Sequence, residues 1–159
     1  MTKQRWSKGM GLLEAVVGIA VIIGVVIGLV NIFHNLLAVA DDSLESLQAT
    51  FLLEEGAEVV RLWRDKSWDN LGDLAVGTDY FYDLNGNNWA TSTTNIFLDS
   101  RYDRRFRLTT VNRDVTTRDI VSSGGGVDSN TKLVTVSVAW RQNNATTTKS
   151  VQFYLAKLF

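Results

Sequence analysis

From Ala15 to Ala40 the chain carries no charged residue, and a single carboxylate, Glu14, stands at the head of that run. The whole sequence lacks proline, so nothing obliges a helix to give up a hydrogen bond on the way through. As a helix, Ala15 to Ala40 would rise about 39 Å at ~1.5 Å per residue, more than the roughly 30 Å hydrocarbon core of a bilayer. A transmembrane helix is therefore predicted. Lys3, Arg5 and Lys8 precede it, while Asp41, Asp42 and Glu45 follow. The excess of positive charge before the span places the N-terminus in the cytoplasm and the remainder outside.

Two ordinary explanations leave something over. A secretory signal has a shorter apolar core, and the small-x-small site at Ala38-Val39-Ala40 comes only after a run far too long for one. A plain anchor gives no role to Glu14 or to the glycines, and a charged side chain at the centre of a membrane helix costs roughly 2.5–3.5 kcal/mol. Snorkelling of Glu14 to the cytoplasmic interface is the bland alternative.

The residues "KGMGLLEAVVGIAVIIG" resemble the N-terminus of type IV pilins and pseudopilins. That family has a short basic leader ending in glycine, a cut after it, and a glutamate at the fifth mature position. The resemblance implies a leader from residue 1 to 9, a processing site between Gly9 and Met10, and Glu14 as an assembly residue. The new amine at Met10, usually methylated in the family, would meet Glu14 of a neighbouring subunit, so that each charge neutralises the other in an apolar bundle. Met10 stands where phenylalanine is frequent, and Gly11 where threonine is frequent. Gly24 and Gly28 form a small-xxx-small pattern that lets helices approach closely in lipid, with Gly18 upstream. Many relatives have a proline here beside a stretch that loses helicity in the filament; any such stretch in this chain would rely on Gly24, Gly28 and Asn31.

After Ala40 the pattern becomes amphipathic. Leu44, Leu47, Phe51, Leu52, Val59 and Leu62 or Trp63 recur at three- and four-residue intervals, predicting that the helix continues with one face covered by a domain. Glu54, Glu55 and Glu58 precede Arg61, Arg64 and Lys66, the order the helix dipole favours. Asp42 with Glu45 could instead open a second helix as a capping box. Residues 10–40 are thus read as the transmembrane and assembly half of the helix, 41–66 as its amphipathic half, and 67–159 as an extracytoplasmic β-sheet domain.

Asp65 to Thr78 reads as the connection leaving the helix. Asn85-Gly86 signals a hairpin between two β-rich runs. Phe106 and Leu108 alternate with Arg105 and Arg107, and Val134, Val136, Val138 and Trp140 alternate with their neighbours; Val151, Phe153 and Leu155 close the series. "SSGGGVDSN" is expected to be a flexible link. The predicted fold class is α+β, a long N-terminal helix packed on a small antiparallel sheet, which in the family is the pilin-like fold. "TKLVTVSVAW" followed by a polar turn and a last strand resembles the C-terminal hairpin of minor pilins, the family members this chain is most like.

No catalytic constellation is legible, so an enzyme is not expected. There is no cysteine, and the only histidine, His34, sits at the end of the apolar run. No cofactor is expected. Asp83, Asn85 and Asn87 are weak candidates for a calcium loop, but lack the distant glutamate of an EF-hand, and the turn reading is preferred. Arg101, Arg104, Arg105 and Arg107, interleaved with Tyr102 and Phe106, form the one basic cluster. Asp99 and Asp103 dilute it, so a charge-protected strand edge is preferred and nucleic acid is not expected as a partner.

The functional expectation is a structural subunit of a type IV pilus-like filament. Its partners would be prepilin peptidase, the cytoplasmic membrane before assembly, and other copies or related pilins in an extracellular or periplasmic filament. The alternatives are a pseudopilin of a type II secretion system and a membrane-anchored binding module that never polymerises.

Overall fold

The computed structural model describes residues 10–142 and 145–158. Helix α1 (Met10–Lys66) passes through Asp41, Asp42 and Glu45 without interruption, so those residues do not open a second helix. The chain divides after Leu44 into two units. In the first, every residue from Gly11 to Asp41 is exposed, and the helix is long and apolar enough to cross a membrane.

The second unit packs the remainder of α1 on an antiparallel sheet, the α+β arrangement read from the sequence. α1 ends where the Asn70 side chain donates to the Trp63 carbonyl at 3.0 Å, satisfying one of the acceptors a helix end leaves open. Arg64 and Lys66 place positive charge in the last turn, where the dipole favours it. A one-turn helix, α2 (Asp69–Gly72), follows within the stretch read as an irregular connection. The strands are β1 (Asp79–Asn85), β2 (Asn88–Ser92), β3 (Phe97–Leu98), β4 (Tyr102–Arg113), β5 (Ile120–Val121), β6 (Gly126–Gln142) and β7 (Ala145–Ala156). They lie in the order β2-β1-β4-β6-β7, with β3 and β5 pairing to β4.

The register accounts for the core. Phe106 on β4 faces Val136 on β6, which in turn faces Val151 on β7, so alternate residues of the central strands share one face. On that face Phe106, Leu108, Val134, Val136 and Val138 are fully buried. Phe106 lies 5.5 Å from the rings of both Trp63 and Tyr80 and 6.4 Å from Tyr82. Each such side chain contributes ~1.5–3 kcal/mol by leaving water. Val151 shares the face but is 37% exposed, on the edge strand β7.

The sequence placed part of the stripe of α1 that meets the sheet: Val59 and Trp63 are buried and Leu52 is half-buried, but the other large residues expected with them are not covered. Leu47 and Phe51 are 52% and 60% exposed, and Leu44 and Leu62 are exposed as well. The buried stripe is Ala49, Gly56 beside Ala57, Val59, Val60 and Trp63, with Leu52 and Leu53 half-buried. Small residues were chosen there for closeness, which a search for large apolar residues misses. A Cβ on Gly56 would sit 2.1 Å from the Tyr82 hydroxyl oxygen and 2.8 Å from Cγ1 of Val136.

Three further expectations shift. The hairpin forms, but Asn85 pairs with Asn88 and the two turn residues are Gly86-Asn87; Gly86 takes φ +62° as the first turn residue. "SSGGGVDSN" is not simply a link: Gly126 to Asn130 belong to β6, with an irregularity where Thr110 gives way to Val111 on β4. β4, finally, is a central strand and not an edge.

Replacing Gly56 by Ala should destabilise the folded domain by about 1–3 kcal/mol through overpacking, although alanine is the better helix former. Melting of the detergent-solubilised chain measures this. Adding Tyr82→Phe, which removes the nearest clashing atom, should recover part of the loss; an unchanged melting temperature in Gly56→Ala would refute the close approach.

Candidate functional site

The first unit presents an uncovered apolar helix, and the sequence-selected residues sit along it. Met10 is the first residue of α1, and Gly9 lies outside the described residues. Glu14 is exposed just beyond the first turn of the helix. His34 is exposed near the far end of the apolar run.

Gly18, Gly24 and Gly28 are exposed, and an added Cβ at any of them would meet nothing within 4 Å. Their lack of a side chain is therefore not required by packing inside this chain, in direct contrast to Gly56. In a helix interior glycine costs roughly 0.5–1 kcal/mol relative to alanine. A stretch with several uncompensated glycines is suited to close approach by something outside the chain, and Gly24 and Gly28, four residues apart, lie on one face.

The second unit disperses the basic cluster. Arg101 pairs with Glu45, while the Tyr102 hydroxyl donates to Oε1 of Gln48 at 2.8 Å. Arg104 is only 3% exposed and points to the helix side of the sheet, with Nη1 on Oε1 of Glu55 at 2.8 Å and its guanidinium 5.0 Å from the Tyr82 ring centre. Arg105 and Arg107 lie on the opposite face and share Asp79, at 3.1 and 2.7 Å. Burial alone would raise the Asp79 carboxyl, but hydrogen bonds and charge from Arg107 and Arg105 bring it below its ordinary value. Four arginines that read as one patch are thus divided between two faces and committed to carboxylates. A solvated edge was the wrong expectation, because β4 is flanked by β1 and β6.

Asp83, Asn85 and Asn87 occupy the end of β1 and its turn. Asp83 Oδ1 accepts the Leu84 N–H at 2.8 Å and lies 3.7 Å from Nη2 of Arg104. Among the described residues no three His, Cys, Asp or Glu side chains gather as a metal centre requires.

Several structural roles had no sequence signal. Lys149 lies on the core-facing side of β7, where its Nζ donates to the Ser46 carbonyl at 2.9 Å, Ser46 Oγ at 2.7 Å and Thr50 Oγ1 at 2.8 Å. An inward-pointing charge on an edge strand discourages strand-on-strand association. Glu45, Gln48, Ser46 and Thr50 thus tie one turn of α1 to two strands through polar contacts.

Comparison of the chain with protein-family models, with curated proteins and with solved structures yields no match.

Because nothing surrounds Gly24 and Gly28, replacing both by Leu should leave the melting temperature of the second unit within about 1 °C of the parent, a surface-like change. A fall of several degrees, measured on the detergent-solubilised chain, would mean that those glycines serve intrachain packing.

Proposed function

We propose that the chain is a structural subunit of a type IV pilin-like filament, cut after Gly9 by a prepilin peptidase, held in the cytoplasmic membrane by the first part of α1, and assembled with other copies or related subunits through that same helix. The observation that carries this reading is the uncovered stretch from Gly11 to Asp41, which combines one carboxylate at its head with glycines that no intrachain contact explains.

A helix of this kind accepts two surroundings. In lipid its Val, Ile and Leu side chains are solvated as well as they would be by protein, so the span is stable before assembly. In a bundle of such helices glycine permits close approach, and the remaining difficulty is Glu14. An ammonium group at Met10 of a neighbour answers it: at the low dielectric of a helix bundle an opposite charge is worth far more than in water. The peptidase creates that amine, so processing and assembly become one device. The second unit would then ride on the outer, non-cytoplasmic side.

Two measurements test this. Mass spectrometry of the mature chain should find an N-terminus at Met10, with a methyl group on the amine. A start after Ala40, or an intact Met1, would refute the processing step. Glu14→Gln should still insert, be cut and melt normally, since the segment only becomes more apolar, but its incorporation into filaments alongside the parent chain should fall at least about tenfold, as expected from losing a buried charge pair. Normal incorporation would return Glu14 to an interfacial, snorkelling role.

A further inference from the structure

We propose that the end of the sheet farthest from Glu45 carries a binding site for an acidic sugar, a saccharide ring bearing a carboxylate. β4 starts at Tyr102, whose hydroxyl contacts Gln48, and runs to Arg113, roughly 36 Å away at ~3.3 Å per residue. At that remote end a pocket of about 510 Å³ lies between the end of β4, the start of β6 and the end of β7. Its size falls within the roughly 300–1,000 Å³ of small-molecule sites.

The lining has three chemistries. Arg118 and Lys157 supply positive charge, and among the described residues neither pairs with a carboxylate. The lining carboxylate, Asp128, is already answered: Oδ2 accepts from Arg113 Nε at 2.6 Å and Oδ1 from the Asn130 N–H at 2.9 Å. Hydrogen bonds from Thr131 and Arg113 hold its carboxyl down to about 2, so it stays ionised and paired. Nearby Asp114 is likewise engaged within its own turn, its Oδ1 accepting the N–H groups of Thr116 and Thr117. Arg118 and Lys157 therefore remain as the charge an anion would meet. Ser129, Asn130 and Thr131 supply hydroxyl and amide groups, and Val115 and Val127, 75% and 69% exposed, supply small apolar surfaces.

Arg118 is held there against its own preference. It takes φ +68°, a left-handed conformation that non-glycine residues avoid. Its N–H donates to the Asp114 carbonyl at 3.1 Å and its carbonyl accepts from Arg113 Nη1 at 2.9 Å, so the surroundings impose the strain. Cationic groups for a carboxylate, polar groups for ring hydroxyls and shallow apolar walls for C–H faces match an acidic sugar. An acidic side chain would use the cations but bring no C–H face to the two valine surfaces, which a sugar ring does.

The strain also supplies a clean test. Arg118→Gly removes the guanidinium and suits the backbone, so the fold should be kept or stabilised. Isothermal titration of the detergent-solubilised full chain would use a galacturonate trisaccharide, the neutral galactose trisaccharide of the same linkage, and a short aspartate peptide. The acidic sugar should bind and the neutral one should not. Arg118→Gly, and separately Lys157→Gln, should each weaken binding about tenfold at an unchanged or higher melting temperature, the size expected for one hydrogen bond to a charged group. Absence of binding, equal binding of the neutral sugar, tighter binding of the peptide, or unaltered binding by Arg118→Gly would each overturn the proposal. None of these outcomes bears on filament assembly, which concerns the other unit.

Discussion

The close approach of α1 to the sheet at Gly56 governs the second unit. With no side chain at that position, the Tyr82 hydroxyl and the Val136 side chain occupy the space a Cβ would need. That proximity brings Trp63 onto Phe106 and buries Val60 against the sheet. It also places Glu55 near enough to β4 to receive Arg104 at 2.8 Å. A bulkier stripe on the helix would lift it from the sheet and separate both sets of contacts. The apolar and the ionic parts of the interface are therefore consequences of one small residue.

Arg104 illustrates how the interface is fixed as well as bound. A buried ion pair repays its desolvation only with good geometry and further contacts. Here the guanidinium has the Glu55 carboxylate, the face of the Tyr82 ring, and the Tyr82 carbonyl at 3.4 Å. Its Nε has no partner among the described residues. Such a group adds little net stability, yet sliding the helix by one turn would strand a charge in the core. At the other end of the same interface Lys149 on Ser46 and Thr50, and Arg101 on Glu45, set the same register through partly exposed contacts. Apolar packing supplies the energy and these polar contacts select the alignment.

What the sequence revealed and what it hid follow from range. The span and the continuous helix depend on the residues within the run itself, and the core of β6 on simple alternation, so Val134, Val136, Val138 and Trp140 were readable without knowing their partners. The stripe of α1 that meets the sheet depends on what lies opposite. Leu47 and Phe51 look like core, and Ala49 and Gly56 do not, until the sheet brings Tyr102, Val138 and Trp140 to the first and Tyr82 to the second of these small residues. The arginines of β4 read as an edge for the same reason: a strand's place in the sheet is decided by pairings far along the chain. For the candidate sites, Glu14 and the helix glycines were legible because spacing within the span distinguishes them. The pocket around Arg118 joins three separate stretches and left no local mark.

The two kinds of glycine on α1 show how far a single chain can explain its own sequence. At Gly56 the cost of glycine in a helix is offset inside the fold, since the space has an occupant. At Gly18, Gly24 and Gly28 the same cost is incurred and the space is empty. Neither β propensity, capping nor a turn requires glycine there, because all three sit in the interior of an uninterrupted helix. Lipid does not require it either; Ala or Leu would be as well solvated and would favour the helix more. The proposed assembly supplies a neighbour that comes close, and the uncharged segment, which also holds Asn31, His34 and Asn35, is bounded by charged residues at its ends. Glu14 stands at one of them. In the proposed assembly the carboxylate and the glycines would be one requirement expressed twice, closeness along the span and charge at its head, and a second helix bearing an amine would meet both.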